Sequence, residues 1–305
     1  MSNFKKELID SLKNNRKRLS DSSINLYIRN LEKLNDSNEL SNLNFLKKHD
    51  NIMAKLEKYK PNTVRTYLIS IVSVLSLYKN NKTLNKSYKF YYDKMDNKAN
   101  DIDSNQKNEK TETQDKNWIS WIEVQNKITE LKKSLEESFD YKKLLDYLIL
   151  SLYVFNSPRR NMDYINMYIV KNYNNKLPND KNYLDLTKKQ FIFLKHKTSK
   201  IYNETIVDIN PQLYEIITEY IKHHPLMKST KTNIPFLVNH KGIPYKQSNF
   251  ITKTLNDIFG KRIGSSMLRH IYLSDKFGST LEDMKTTSQQ MGHSLNQQKD
   301  YIKTN

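Results

Sequence analysis

At 305 residues the chain has room for two domains with separate cores, and its 51 Lys and Arg outnumber 33 Asp and Glu to give a formal charge of +18. Such an excess marks a polyanion partner, because each neutralised phosphate releases a counterion; an A/T-rich genome raises lysine but does not by itself unbalance it against acid. The absence of cysteine rules out disulfides and thiolate metal sites, and no run of ~18 apolar residues is present to span a membrane.

The N-terminus is charged and lacks the apolar core of a signal peptide. The first half then reads as helices, beginning with Phe4, Leu8, Ile9 and Leu12 at helical spacing. The strongest helix follows Pro61, Asn62 and Thr63, where Val64, Leu68, Ile71, Val72 and Leu75 form one buried stripe. Lys60 and Arg65 lie at its N-terminal end, where the helix dipole favours a phosphate. From Asp96 to Lys116 only one isoleucine and one alanine occur among polar residues, which cannot build a core. A flexible linker over 97–116 is therefore expected between a helical domain at 1–96 and a second domain at 117–305.

The second domain opens with Trp118, Trp121 and Ile122 on a helix, followed by a buried helix over Leu144–Phe155. Pro158 ends that helix, since proline disfavours helical backbone at the residue before it. Arg159, Arg160, Asn161, Met162 and Asp163 come next. Met167–Val170, Tyr183–Leu186, Gln190–Leu194 and Glu204–Ile209 are short, β-prone and bounded by turn residues. The last two flank a segment holding Lys195, Lys197 and Lys200, which reads as a hairpin. Leu213–His224 is helical. Its His223 and His224 are adjacent and cannot face one point on a helix, so no metal site is read there. A short strand and turn at 236–244, with His240 at the surface, leads to a helix over Phe250–Phe259.

Gly264 then breaks the chain, and Met267, Leu268, Ile271 and Leu273 give the helix carrying Arg269 an apolar side. Gly292 suits a tight stop before His293, and Tyr301 follows. An arginine, a histidine and a tyrosine in this order suit phosphoryl transfer to a phenolic oxygen, with cations on the phosphate and the phenol attacking phosphorus.

Leu268-Arg269-His270, Met291-Gly292-His293 and the late Tyr301 resemble box II of the tyrosine recombinases, the phage-integrase superfamily. Its usual pattern is H-x-L-R-H, then L-G-H, then the tyrosine. Ser266 stands where the family often has its first histidine, and Met291 replaces the common leucine. Thr63 and Tyr67 similarly resemble the T-x-x-x-Y helix of the family's core-binding domain. The resemblance implies a mainly α chain with a small antiparallel sheet (α+β). A helical core-binding domain and a catalytic domain would form a clamp around DNA.

It further implies a catalytic set of Arg160, Lys197, Arg269, His293 and Tyr301. Asp163 would orient Arg160, three residues earlier, with Arg159 as the alternative arginine and Lys200 as the alternative lysine. Ser266 and His270 would support the site, His270 packing beneath Arg269. Lys60, Arg65, Arg159 and Lys200 would contact double-stranded DNA. No metal or cofactor is implied. Tyr301 would form a 3′-phosphotyrosine and release a 5′-hydroxyl, with Lys197 protonating the leaving oxygen. Dimers on each site would assemble as a homotetramer, inside the cell wherever the target DNA lies, in cytoplasm or nucleus. A type IB topoisomerase uses the same roles as a monomer, and a decayed DNA-binding scaffold is the non-enzymatic reading.

Overall fold

The structure is a computed structural model that describes residues 2–17, 19–105, 109–197, 204–228 and 233–303. The chain divides into two compact units, Met1–Glu109 and Lys110–Asn305.

The first unit is all helical. α1 (Asn3–Asn15) and α2 (Asp21–Leu34) start at Ser2 and Ser20, whose side chains accept hydrogen bonds from Lys5 N and Ser23 N. α3 spans His49–Glu57. α4 (Pro61–Leu75) begins with proline at its first position, where no hydrogen-bond donor is needed, and buries Tyr67, Leu68, Ile71, Val72, Val74 and Leu75. It is the central helix, packed against α2 and α5 (Lys82–Asn105). One polar pair crosses this core: Asn30 on α2 donates to Ser70 Oγ on α4 at 3.0 Å.

The stretch expected to be a flexible linker is helical at both ends. α5 continues through Asn105, and α6 (Glu112–Asn117) starts at a capping box formed by Thr111 and Gln114. Neither glycine nor proline occurs between 97 and 116, and its lysine, glutamine, glutamate and alanine residues favour helix. Low apolar content excluded a core there but did not exclude helix.

In the second unit α7 (Trp121–Glu137) has its own capping box, Ser120 with Glu123. α8 (Tyr141–Val154) follows, capped by Asp140 and buried on nearly every side. The short α9 (Asn161–Ile165) leads into β1 (Met167–Val170), β2 (Asn182–Asp185), β3 (Gln190–Phe193) and β4 (Thr205–Asp208). Then come α10 (Pro211–Lys222), β5 (Ile234–Pro235), α11 (Asn249–Phe259), α12 (Ser265–Gln290) and α13 (Leu295–Tyr301). The sheet order is β4-β3-β2-β1-β5. It is mixed, not antiparallel as expected, because β1 and β2 pair in parallel while the other neighbours run antiparallel. Residues 171–181 carry the chain back to start β2 beside the start of β1, and nothing in a strand's local alternation encodes that return. Helices α7, α10 and α11 pack on α8. Fold class is therefore α+β, helix-dominated with one small sheet. Among the described residues no helix is long and apolar enough to cross a membrane.

His224 closes α10. Its Nδ1 accepts from Leu226 N at 3.2 Å and its Nε2 donates to Pro235 O at 3.0 Å, which fixes the neutral tautomer. Burial holds this imidazole below its ordinary value. A base depressed in the folded state adds full stability above the unfolded value, about pH 6.5, and loses it as pH falls further. Denaturant titrations at about pH 7 and 5 should therefore show the advantage of wild type over His224→Gln shrinking at the lower pH. An advantage independent of pH would contradict the assignment.

Candidate functional site

Two segments far apart in sequence meet in the second unit. The first is the turn from α8 into α9, carrying Ser157, Pro158, Arg159 and Arg160; the second is the first turn of α12, carrying Ser265, Ser266 and Arg269. The hydroxyl of Tyr153, at the end of α8, donates to Asn161 Oδ1 at 2.8 Å. Asn161 in turn donates to Ser248 O at 2.8 Å and Thr252 Oγ1 at 3.0 Å, tying in α11. Burial drives the Tyr153 phenol far above its ordinary value. Tyr164 adds to that rise, a Ser265 hydrogen bond offsets it, Asp163 raises it and the charge of Arg269 lowers it. One buried tyrosine thus senses both arginine-bearing segments.

Within the first segment the pairing differs from the expectation. Asp163 accepts from Arg159 Nε at 3.0 Å, and its side chain is 3% exposed. The Arg159 guanidinium also lies 3.7 Å from the Phe193 ring centroid. Asp163 therefore orients Arg159, not Arg160. The reason is helical geometry. Arg160 is the N-cap of α9 and turns outward, while the preceding residue is brought over the helix at the i,i+4 spacing. Arg160 is exposed, and among the described residues no hydrogen bond or ion pair holds its guanidinium. The two arginines divide the work expected of one: Arg159 is an internal strut, and Arg160 is a free cation above it.

On α12, Arg269 is half-buried and its Nε donates to Ser265 O at 3.3 Å. Ser266 and His270 are both exposed. The expectation that His270 packs beneath Arg269 is not met: Met267, Leu268 and Ile271 take the buried face, and a step of about 100° per residue leaves 266 and 270 outside. Lys197 is exposed in the turn that follows β3, and β3 and β4 form the expected antiparallel pair. Lys200 lies outside the described residues.

The last two candidates are together, but not with the others. α12 closes in a left-handed turn, with Gly292 at φ +72° and His293 N bonded to Ser288 O at 3.0 Å. Ser294 then caps α13, accepting from Gln297 N. This places the His293 ring 5.6 Å from that of Tyr301. His293 Nδ1 lies 3.3 Å from Ser294 O, so that nitrogen carries the proton and Nε2 is left as an acceptor. His293 Nε2 is enclosed and without a hydrogen-bond partner among the described residues, as is Gln298 Oε1. Tyr301 is 62% exposed. α12 is unbroken from Ser265 to Gln290, so about 30 Å of helix separates the Arg269 level from this turn. Gly278 lies inside the helix.

In the first unit, Lys60 is exposed at the start of α4 and Arg65 is half-buried with its Nε enclosed and unpartnered. A cleft of about 490 Å³ opens beside them, lined by Arg29, Lys33, Asn62, Thr63 and Thr66 among others. Arg29 and Lys33 escaped the sequence reading; their i,i+4 spacing on the polar side of α2 was the available signal.

Tyr272 lies one turn beyond Arg269 on α12. Its ring meets Trp121 edge-on at 5.3 Å, and its hydroxyl reaches Ser157 Oγ at 3.4 Å and accepts from Lys276 Nζ at 3.2 Å.

No protein-family model matches the chain, and no curated protein matches its sequence. Among solved structures, the crystal structure of XerA recombinase overlaps 98% of this chain and 94% of its own, at 11% identity and a TM-score of 0.37.

The Asn161 amide can be tested directly. Asn161→Ala strands the buried Tyr153 hydroxyl and the Thr252 hydroxyl, and should lower unfolding stability by about 2–3 kcal/mol in urea titrations. A loss below about 0.5 kcal/mol would show that the network does not hold the segments together.

Proposed function

We propose that the protein cleaves and rejoins DNA strands through a 3′-phosphotyrosine on Tyr301, as a site-specific recombinase. The observation that supports this reading is that the Ser157–Asp163 segment and the start of α12 meet, Ser157 Oγ lying 3.4 Å from the Tyr272 hydroxyl one turn beyond Arg269, so that Arg160 and Arg269 would share one phosphate in a two-arginine cradle. The net charge of +18 supplies the electrostatic attraction for DNA.

In this mechanism Arg160 and Arg269 hold the non-bridging oxygens of the scissile phosphate. The Tyr301 oxygen bonds to phosphorus while the P–O5′ bond breaks. His293, whose Nε2 is unpartnered, accepts the phenolic proton and becomes a cation beside the phosphorane. Lys197 protonates the departing 5′ oxygen. Attack by another strand's 5′-hydroxyl reverses the chemistry, and four protomers exchanging strands would complete recombination.

The reading requires α12 to bend, because the cradle and the His293–Tyr301 pair sit at opposite ends of it. The middle of α12 is suited to that. Leu273 and Phe277 are 51% and 49% exposed, and Gly278, Ser279 and Thr280 are poor helix formers. The same unbroken helix favours the second reading, a DNA-binding scaffold without cleavage.

Tyr301→Phe should keep folding and DNA affinity while covalent adducts on a suicide duplex vanish. Arg160→Ala and Arg269→Ala should slow adduct formation by about 10²-fold. Adducts that persist in Tyr301→Phe would overturn the nucleophile, and their absence in wild type on its own element's flanking DNA would favour the scaffold. Gly278→Ala stiffens the helix by about 1 kcal/mol, so adducts should form about five-fold more slowly at unchanged affinity. DNA affinity itself should fall by ~10³ between about 50 and 200 mM salt.

A further inference from the structure

Beside the cradle lies a second cluster that the proposed mechanism leaves unused. Ser157 precedes Arg160 by less than one turn of chain, and Tyr272 follows Arg269 by one turn of α12. Their hydroxyls face each other at 3.4 Å, outside the usual O–H···O range of about 2.5–3.0 Å. Lys276, a further turn along α12, points its Nζ at the same phenol oxygen. Among the described residues no carboxylate lies within ion-pair distance of that ammonium, unlike Lys142, which is held by Asp146. The Tyr272 ring is fixed from behind by Trp121. The cluster therefore combines one cation without a carboxylate partner among the described residues and two hydroxyls, one of them on a braced ring, with a loose contact between the hydroxyls that an inserted oxygen could replace. The Ser157 contact, opposed by burial and reinforced by Lys276, holds the phenol below its ordinary value, which fits a hydroxyl aimed at a polar partner.

We infer that Ser157, Tyr272 and Lys276 form a second phosphate subsite, which binds a non-bridging oxygen of the phosphodiester next to the one held by Arg160 and Arg269. The inference rests on the strand-cleavage reading for its substrate and adds a residue set to it. The subsite would fix the register of the strand, so that one phosphate and not its neighbour enters the cradle. Tyr272 acts here as a donor to phosphate through its hydroxyl proton, while Lys276 supplies the charge.

The test is a salt titration of duplex affinity by fluorescence anisotropy on the full chain, with thermal melting of each variant alongside. Lys276→Gln should reduce the slope of log affinity against log salt by about 0.9, the value of one phosphate contact. Tyr272→Phe keeps the ring on Trp121 and should weaken binding about ten-fold with its melting temperature unchanged. Lys132→Gln, on the face of α7 that carries Glu136, should leave both the slope and the affinity as in wild type. Unchanged slope in Lys276→Gln, or a Tyr272→Phe variant that melts early yet binds normally, would overturn the subsite and make the cluster a packing feature. Wild-type adduct formation is measured in the same series. Adducts with no effect of Tyr272 or Lys276 refute the subsite alone, whereas loss of affinity in both variants without any wild-type adducts upholds it and refutes cleavage.

Discussion

The second unit depends on a buried hydrogen bond between Tyr153 and Asn161. Tyr153 closes the central helix α8, and Asn161 opens α9 with its amide committed to the backbone of Ser248 and the hydroxyl of Thr252. A tyrosine hydroxyl excluded from water must be paired, and here only one mutual placement of α8, α9 and α11 pairs it. The Tyr272 hydroxyl, 3.4 Å from Ser157 Oγ, brings α12 to the same end of α8. Positions 159–160 and 269, separated by more than a hundred residues, are thereby brought to one side of the unit.

Charge is handled differently at neighbouring positions. Arg159 is enclosed by a carboxylate and an aromatic ring, a geometry in which a guanidinium braces a loop. Arg160 is exposed and has no such partner among the described residues. In the first unit, Arg29 and Lys33 stand on either side of one helical turn of α2 and open on a cleft beside the N-terminus of α4, where the dipole adds to their field. Each unit thus presents cations for which no ion-pair partner is found among the described residues.

Periodicity made most of this architecture legible. The stripe from Val64 to Leu75, the helices ending at Pro158 and beginning after Gly264, and the β3–β4 hairpin all carry patterns set by burial, which is a property of each residue and its near neighbours. What escaped depended on contacts between distant parts. The parallel pairing of β1 with β2 is invisible in either strand alone. The choice of Arg159 for Asp163 turns on a side chain's direction at a helix cap, and a count of spacing favoured its neighbour. The hydroxyl of Tyr272 meets a residue from another segment, so its surroundings could not be read from α12. At 97–116 composition answered whether a core forms but was silent on helix, because burial and helix formation are separate questions for a polar stretch without glycine or proline.

Length gives α12 a mechanical property. Its root is gripped by the core at Met267, Leu268 and Ile271, whereas its far end packs on α13. A rod of about 30 Å held at one end is a lever, and a tilt of about ten degrees at the root sweeps its tip through about 5 Å. Small repacking around Ile271, such as the loss of one methyl group, is therefore magnified into a displacement of His293 larger than a hydrogen bond is long. Substitutions deep in the core can thus displace the distant His293–Tyr301 pair while leaving both residues intact.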